Sequence, residues 1–240
     1  MTPSEFRLSV SDDVSVSARH YVAAADVREG AGAALILAHG AGAGHLHPFI
    51  VACGAGLAEH GVDVVTFNFP YMEARRRLPD RAPVLERAYL AAIATTRQRV
   101  PAAARALFVG GKSMGGRMAS HVAAHHAEAA GPLAGLVFLG YPLHPPGRHD
   151  RPRDAHLSLI TSPMLFVQGE RDAFGTPDEL RPVLARLSAP ADLVVIDGGD
   201  HSFAVPRGTG RARQQVLDGI CDRVATWVRD RAQEGGTSVR

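Results

Sequence analysis

Residues 106–116 read Ala-Leu-Phe-Val-Gly-Gly-Lys-Ser-Met-Gly-Gly, an apolar run that breaks into glycines around one serine and then continues as a pattern of small residues. Ala106 to Val109 predicts a short buried strand, and the small-residue pattern to about Ala129 predicts a helix. Gly111, Ser113 and Gly115 spell G-x-S-x-G at the junction. A serine on so sharp a turn exposes its Oγ and points the next backbone N–H toward a substrate carbonyl. The turn is strained and brings strand and helix close together, so small neighbours such as Gly111 and Gly115 are required. Ser113 is the expected nucleophile.

Gly111-Lys112-Ser113 also matches the end of a phosphate-binding loop. That motif needs a glycine five positions before Gly111, where Ala106 stands inside the apolar run. Without the wrapping loop too few N–H groups converge on a phosphate, and a nucleotide-binding reading is set aside.

Outward from the junction, strands and helices alternate. Phe6 to Val10 and Val14 to Val22 predict a hairpin, followed by strands at Ala33–Ala38, Val62–Phe69, Leu133–Leu139, Met164–Val167 and Leu193–Ile196. Helices are expected over Pro48–His60, Val84–Val100, Pro177–Leu187 and Thr209–Arg231, with a disordered tail from Gly235. This order predicts a single α/β domain over residues 1–234, with a mostly parallel sheet of about seven or eight strands and helices on both faces. Only a proline-rich passage, Tyr141 to Pro163, lies between two of the strands, so no lid domain fits there.

Ligands of such sheets bind beyond the carboxyl ends of the strands. A serine needs a base to take its proton, and the base needs an orienting carboxylate. Asp172 follows the strand at Met164–Val167, and His201 follows the strand at Leu193–Ile196, in the chain order Ser, Asp, His. Glu170 and Asp200 are competing acids; a surface ion pair suits the first and a turn the second. The oxyanion needs two backbone donors: Met114 offers one, and the His39-Gly40-Ala41-Gly42-Ala43-Gly44 loop the other, through Ala41 or alternatively Gly42. His39 is expected to pin that loop. Tyr71, Tyr141 and His144 are candidate pocket-wall residues.

Composition narrows the classes. A net charge of +2 is too weak for a nucleic-acid footprint, and no apolar run reaches membrane-spanning length. Met1 to Glu5 lacks the pattern of a secretory signal, and Cys53 and Cys221 form neither a metal spacing nor a disulfide framework, so a cytoplasmic setting is expected. His45 and His47 lack a third ligand, and neither metal nor cofactor is expected. Lys112 is the one lysine among 26 basic side chains, suggesting a site that admits an ammonium but not a guanidinium and a buried polar contact that shapes the turn.

Taken together, HGAGAG at His39–Gly44, FNFPYME at Phe67–Glu73, GGKSMGGR at Gly110–Arg117, GYPLHPPG at Gly140–Gly147, FVQGERDAFGTPDEL at Phe166–Leu180 and GGDHSF at Gly198–Phe203 resemble the α/β-hydrolase superfamily. Within it the chain resembles the uncapped dienelactone-hydrolase-like enzymes. It more closely resembles small bacterial hydrolase-like proteins that are similar to a testis-expressed hydrolase-like protein and to a subunit of a chromatin acetyltransferase complex. Dienelactone hydrolase proper uses cysteine where this chain has Ser113. The resemblance implies a serine hydrolase acting on a small soluble ester or thioester, without nucleic acid or membrane as partner; the oligomeric state stays open. The alternative is a catalytically silent interaction module on the same fold. Two arginine-rich segments, Arg75 to Arg81 and Arg148 to Arg153, are expected on the site's rim, where they would favour an acidic substrate unless they are only a solvated surface.

Overall fold

The computed structural model describes residues 2–24, 32–206 and 212–237. Its centre is β3 (Ala33–Ala38), six fully buried residues in the order AALILA. Alternate side chains of a strand point to opposite faces, so a strand covered on both sides must be apolar throughout. Ala34, Ile36 and Ala38 face one core, and Ala33, Leu35 and Leu37 face the other.

The first core is closed by α3 (Ala82–Arg99) and α5 (Met114–His125), through Tyr89, Met118 and Val122 among others. The second is closed by α1 (Pro48–Glu59) and α8 (Arg213–Thr237), through Ile50, Leu57, Ile220 and Val224. Cys53 and Cys221 are buried free thiols in this second layer.

Eight strands form one sheet. The hairpin β1 (Ser4–Ser11) and β2 (Val14–Tyr21) makes the antiparallel edge against β4 (Val62–Phe67). From β4 onward every pairing is parallel, through β3, β5 (Ala106–Lys112), β6 (Gly135–Leu139), β7 (Met164–Gly169) and β8 (Ala191–Ile196). The chain leaves β3 toward β4 on one side and returns to β5 on the other. The connections out of β3 and β5 therefore diverge, opening a crevice at the carboxyl ends of these two strands.

The short helices are α2 (Pro70–Glu73), α4 (Ala102–Arg105) and α6 (Ala127–Ala130); α7 (Pro177–Leu184) carries a capping box of Thr176 and Glu179. Between β6 and β7 there is one short 3-10 turn, Ala155–Leu159, and no lid. Among the described residues no helix is long and apolar enough to cross a membrane.

Beyond shifts of a few residues at element ends, three departures from the sequence pattern bear on the fold. Strand β5 continues past Val109 to Lys112, because Gly110, Gly111 and Lys112 still pair with Val137, Phe138 and Leu139. The helix expected to reach Ala129 breaks at His126, where φ −130° is not helical, and resumes as α6. The helix expected over Thr209–Arg231 is α8, which begins at Arg213 (residues 209–211 lie outside the described residues) and runs on to Thr237, so the tail expected to be disordered from Gly235 is helical through three more residues. Extending an existing helix adds one hydrogen bond per residue, which offsets the weak propensity of Gly235 and Gly236.

Candidate active site

Ser113 occupies the single residue between β5 and α5, at φ 51° and ψ −115°. A non-glycine residue at positive φ costs about 1–3 kcal/mol and persists only where its surroundings enforce it. Here the Ser113 N–H donates to Leu139 O (3.0 Å) and Ser113 O accepts from the Arg117 N–H (3.0 Å), fixing the turn at both ends. The close approach leaves no room for side chains beneath it. A Cβ on Gly111 would lie 2.4 Å from Ala38 O, and one on Gly115 2.5 Å from the same oxygen.

Ser113 Oγ lies 2.9 Å from His201 Nε2, and His201 Nδ1 lies 2.8 Å from Asp172 Oδ2. Asp172 is fully buried. An ionised carboxylate only accepts hydrogen bonds, so Nδ1 carries the proton and Nε2 is left to receive one from Oγ. The second Asp172 oxygen accepts from the Phe174 N–H (2.8 Å), and the Phe174 ring lies against the imidazole with centroids 4.2 Å apart. Such a chain can withdraw the hydroxyl proton and stabilise the imidazolium that results.

The competing acids are engaged elsewhere. Glu170 Oε2 accepts from the Gly198 N–H (2.6 Å), and Asp200 Oδ1 accepts from the N–H groups of Ser202 (2.8 Å) and Ala204 (3.0 Å), bracing the turn around His201.

Met114 opens α5, where the N–H has no intrahelical acceptor, and both Met114 and Ala41 line the cavity around Ser113. His39 holds the Ala41 loop: its Nδ1–H donates to Gly40 O (2.8 Å) and its Nε2 accepts from the Phe69 N–H (3.0 Å). Acceptance at Nε2 requires the neutral ring, and burial pushes its pKa down to about 4.

The cavity is about 470 Å³ in volume. Tyr71, Tyr141 and His144, expected on its wall, are buried and do not line it. The polar ends of Tyr141 and His144 hold loops instead, whereas the Tyr71 hydroxyl is buried without a hydrogen-bond partner among the described residues. The Tyr141 hydroxyl donates to Arg153 O (2.8 Å), while His144 donates from Nδ1 to Pro145 O (2.8 Å) and meets Glu179 across 3.2 Å. Tyr71 lies under the Ala41 loop with its ring 6.0 Å from that of His39. His144, His149 and Glu179 form a group of possible ligand atoms away from the cavity, with His149 Nδ1 2.6 Å from Glu179 Oε1. His47 instead caps α1, accepting from the Phe49 N–H (3.3 Å).

Of the two arginine segments only Arg153 reaches the cavity. Arg76 pairs with Asp80 and Arg148 with Asp150, each carboxylate satisfying its neighbour in sequence. Lys112 also lines the cavity, but Nζ is buried without a hydrogen-bond acceptor among the described residues, so the expected polar contact is not made. Nζ lies instead over the Phe203 ring, 5.3 Å from its centroid. A Cβ on Gly140 would stand 2.8 Å from Nζ, which agrees with a site too narrow for a guanidinium.

Sequence reasoning missed three side chains. Gln168, the one polar residue in the body of β7, donates from Nε2 to Asp172 Oδ2 (2.9 Å) and Gly175 O (2.6 Å) and accepts at Oε1 from the Tyr141 N–H (2.8 Å). A buried amide in an apolar strand was the available signal. Tyr89 reaches from α3 to accept from the Gly110 N–H (2.8 Å) and donate to Gly110 O (2.6 Å). Arg117 lies one helical turn after Ser113 and lines the cavity.

Known structures resemble this arrangement over nearly the whole chain. An alpha-beta serine hydrolase homologue from Coxiella burnetii superposes with a TM-score of 0.71 at 18% identity, covering 93% of this chain and 98% of its own. A serine hydrolase without lid from Xanthomonas campestris gives 0.67 at 18% identity, covering 97% and 94%. Dienelactone hydrolase from Anabaena variabilis gives 0.67 at 19% identity, covering 94% and 96%. At these identities the likeness is one of fold. The sequence model of the alpha/beta hydrolase domain matches residues 31–229, from the approach to β3 into α8. With that match over most of its length, the chain belongs to the alpha/beta hydrolase domain family.

Proposed function

We propose that the chain is a serine hydrolase cleaving a small ester or thioester through an acyl-enzyme. The observation that carries this reading is the unbroken hydrogen-bonded chain Ser113–His201–Asp172 at the cavity wall. Ser113 Oγ attacks the acyl carbonyl as its proton passes to His201 Nε2. The oxyanion that forms accepts from the N–H groups of Met114 and Ala41. On collapse the acyl–oxygen or acyl–sulfur bond breaks, and His201 returns the proton to the departing alcohol or thiol. Water then attacks the acyl-enzyme, with His201 again as base, and frees the acid. Gln168 and the Phe174 N–H hold Asp172 for both half-reactions.

The absence of a lid favours a compact, water-soluble acyl substrate. The sequence motifs favour kinship with the testis-expressed and chromatin-complex group of hydrolase-like proteins. A fluorophosphonate probe tests the reading: the wild type should be labelled and Ser113→Ala should not. An unlabelled, folded wild type would instead point to a silent interaction module.

A further inference from the structure

We infer that Arg117 and Arg153 form an anion subsite beside Ser113, and that the acyl substrate carries a carboxylate held there. The inference rests on the hydrolase reading above and names the substrate class for that same site.

Arg117 follows Ser113 by four residues on α5 and lies on the same helical face, about 6 Å along the axis. Its Nε is buried without a hydrogen-bond partner among the described residues. Arg153 comes to the same cavity from the β6–β7 connection on a fixed backbone. Its N–H donates to Leu143 O (2.7 Å), and its carbonyl accepts from the Tyr141 hydroxyl (2.8 Å). The two guanidiniums sense each other: the Arg153 pKa falls below its ordinary value through burial and, next, through the charge of Arg117. Arg213 stands exposed at the cavity's edge and adds a third positive charge.

Among the described residues no carboxylate balances the pair. The residues lining the cavity include no aspartate or glutamate. The nearby acids are spent on other arginines: Asp150 on Arg148 (3.0 Å) and Arg151 (3.9 Å), Asp154 on Arg186 (3.2 Å). Asp172 is committed to His201, Gln168 and the Phe174 N–H. Two part-buried guanidiniums without a counter-ion are unfavourable as they stand, and they present forked donors suited to a carboxylate. A cavity of about 470 Å³ admits a short acyl chain between that carboxylate and the carbonyl at Ser113.

The test compares kcat/KM for mono-4-nitrophenyl adipate and 4-nitrophenyl hexanoate, which share chain length and leaving group. At low ionic strength the wild type should prefer the anionic ester by about tenfold or more, and the preference should shrink with added salt. Arg117→Gln and Arg153→Gln should each move the ratio toward one. A wild-type ratio near one, or a ratio unchanged in both variants, overturns the inference. If the folded wild type hydrolyses neither ester, the hydrolase reading fails by itself, and calorimetric titration with adipate decides the subsite separately. Salt-sensitive adipate binding, lost in both arginine variants, supports it; no binding to the wild type overturns it.

Discussion

Removing the buried charge of Lys112 should make the protein more stable at neutral pH and no more stable in alkali. Burial lowers the Lys112 pKa from 10.5 to about 8, a fall that the charges of Asp172 and Asp200 only partly oppose. At roughly 1.4 kcal/mol per pH unit, holding the ammonium in the folded state costs about 3 kcal/mol relative to the unfolded chain. Below pH 8 both states are protonated and the full cost is present. Between 8 and 10.5 the unfolded chain keeps a proton the folded protein has released, so stability rises with pH; above 10.5 the cost is gone. Lys112→Met keeps the chain length and removes the charge, but also the contact with Phe203, worth about 1 kcal/mol. The net gain should be about 2 kcal/mol at pH 7, fading by pH 10.5. Urea unfolding at both pH values measures the difference. Because this is the sole lysine, ε-carbon-labelled lysine gives one side-chain resonance whose titration reads the pKa directly. A midpoint near 10.5, or a Met variant no more stable than wild type at pH 7, refutes the reasoning.

Other residues make separate predictions. Gly115→Ala drives a Cβ to 2.5 Å from Ala38 O and should cost about 2 kcal/mol or more, whereas Gly219→Ala, in open space on α8, should gain about 0.5–1 kcal/mol; thermal unfolding compares them. Gln168→Leu removes a donor to Asp172 and should lower kcat/KM on 4-nitrophenyl hexanoate about ten- to a hundredfold, and an undiminished rate would remove Gln168 from the site. His39, buried and neutral with its pKa at about 4 against 6.5 unfolded, should lose about 3 kcal/mol of stability as pH falls through that window, because the unfolded chain binds the proton first. His39→Phe should flatten this acid limb in urea titrations between pH 7 and pH 4.5.

What the sequence disclosed follows from how far each signal reaches. Strand β3 is legible because a strand covered on both faces must be apolar at every position, and AALILA meets that requirement. The elbow is legible because its constraint lies within a few residues: only glycine avoids Ala38 O at positions 111 and 115. Asp172 and His201 are legible through strand ends, since a parallel sheet gathers its carboxyl ends on one edge. The direction of a side chain within a loop has no such local signature. Tyr71, Tyr141 and His144 follow strands as Ser113 does, yet all three turn into the structure, and the polar ends of Tyr141 and His144 hold other loops. The end of α8 lies beyond the reach of sequence for a related reason: composition weakens a helix locally, while an established helix continues beyond its weakest residues.

The same distinction separates the arginines. On sequence Arg148, Arg151 and Arg153 are alike, and a run of basic residues reads as one charged surface. In the fold Asp150 takes the first two, while Tyr141 and Leu143 fix the backbone of Arg153 at the cavity opposite Arg117, 36 residues away in the chain. Exposed ion pairs of the first kind contribute little to stability and leave little field beyond themselves. The guanidiniums of the second kind, without a carboxylate partner among the described residues, keep their field, and it falls on the space where a substrate must enter to reach Ser113. Specificity for an anionic acyl group would therefore arise from where carboxylates are absent, a property of the assembled cavity that no single segment of the chain encodes.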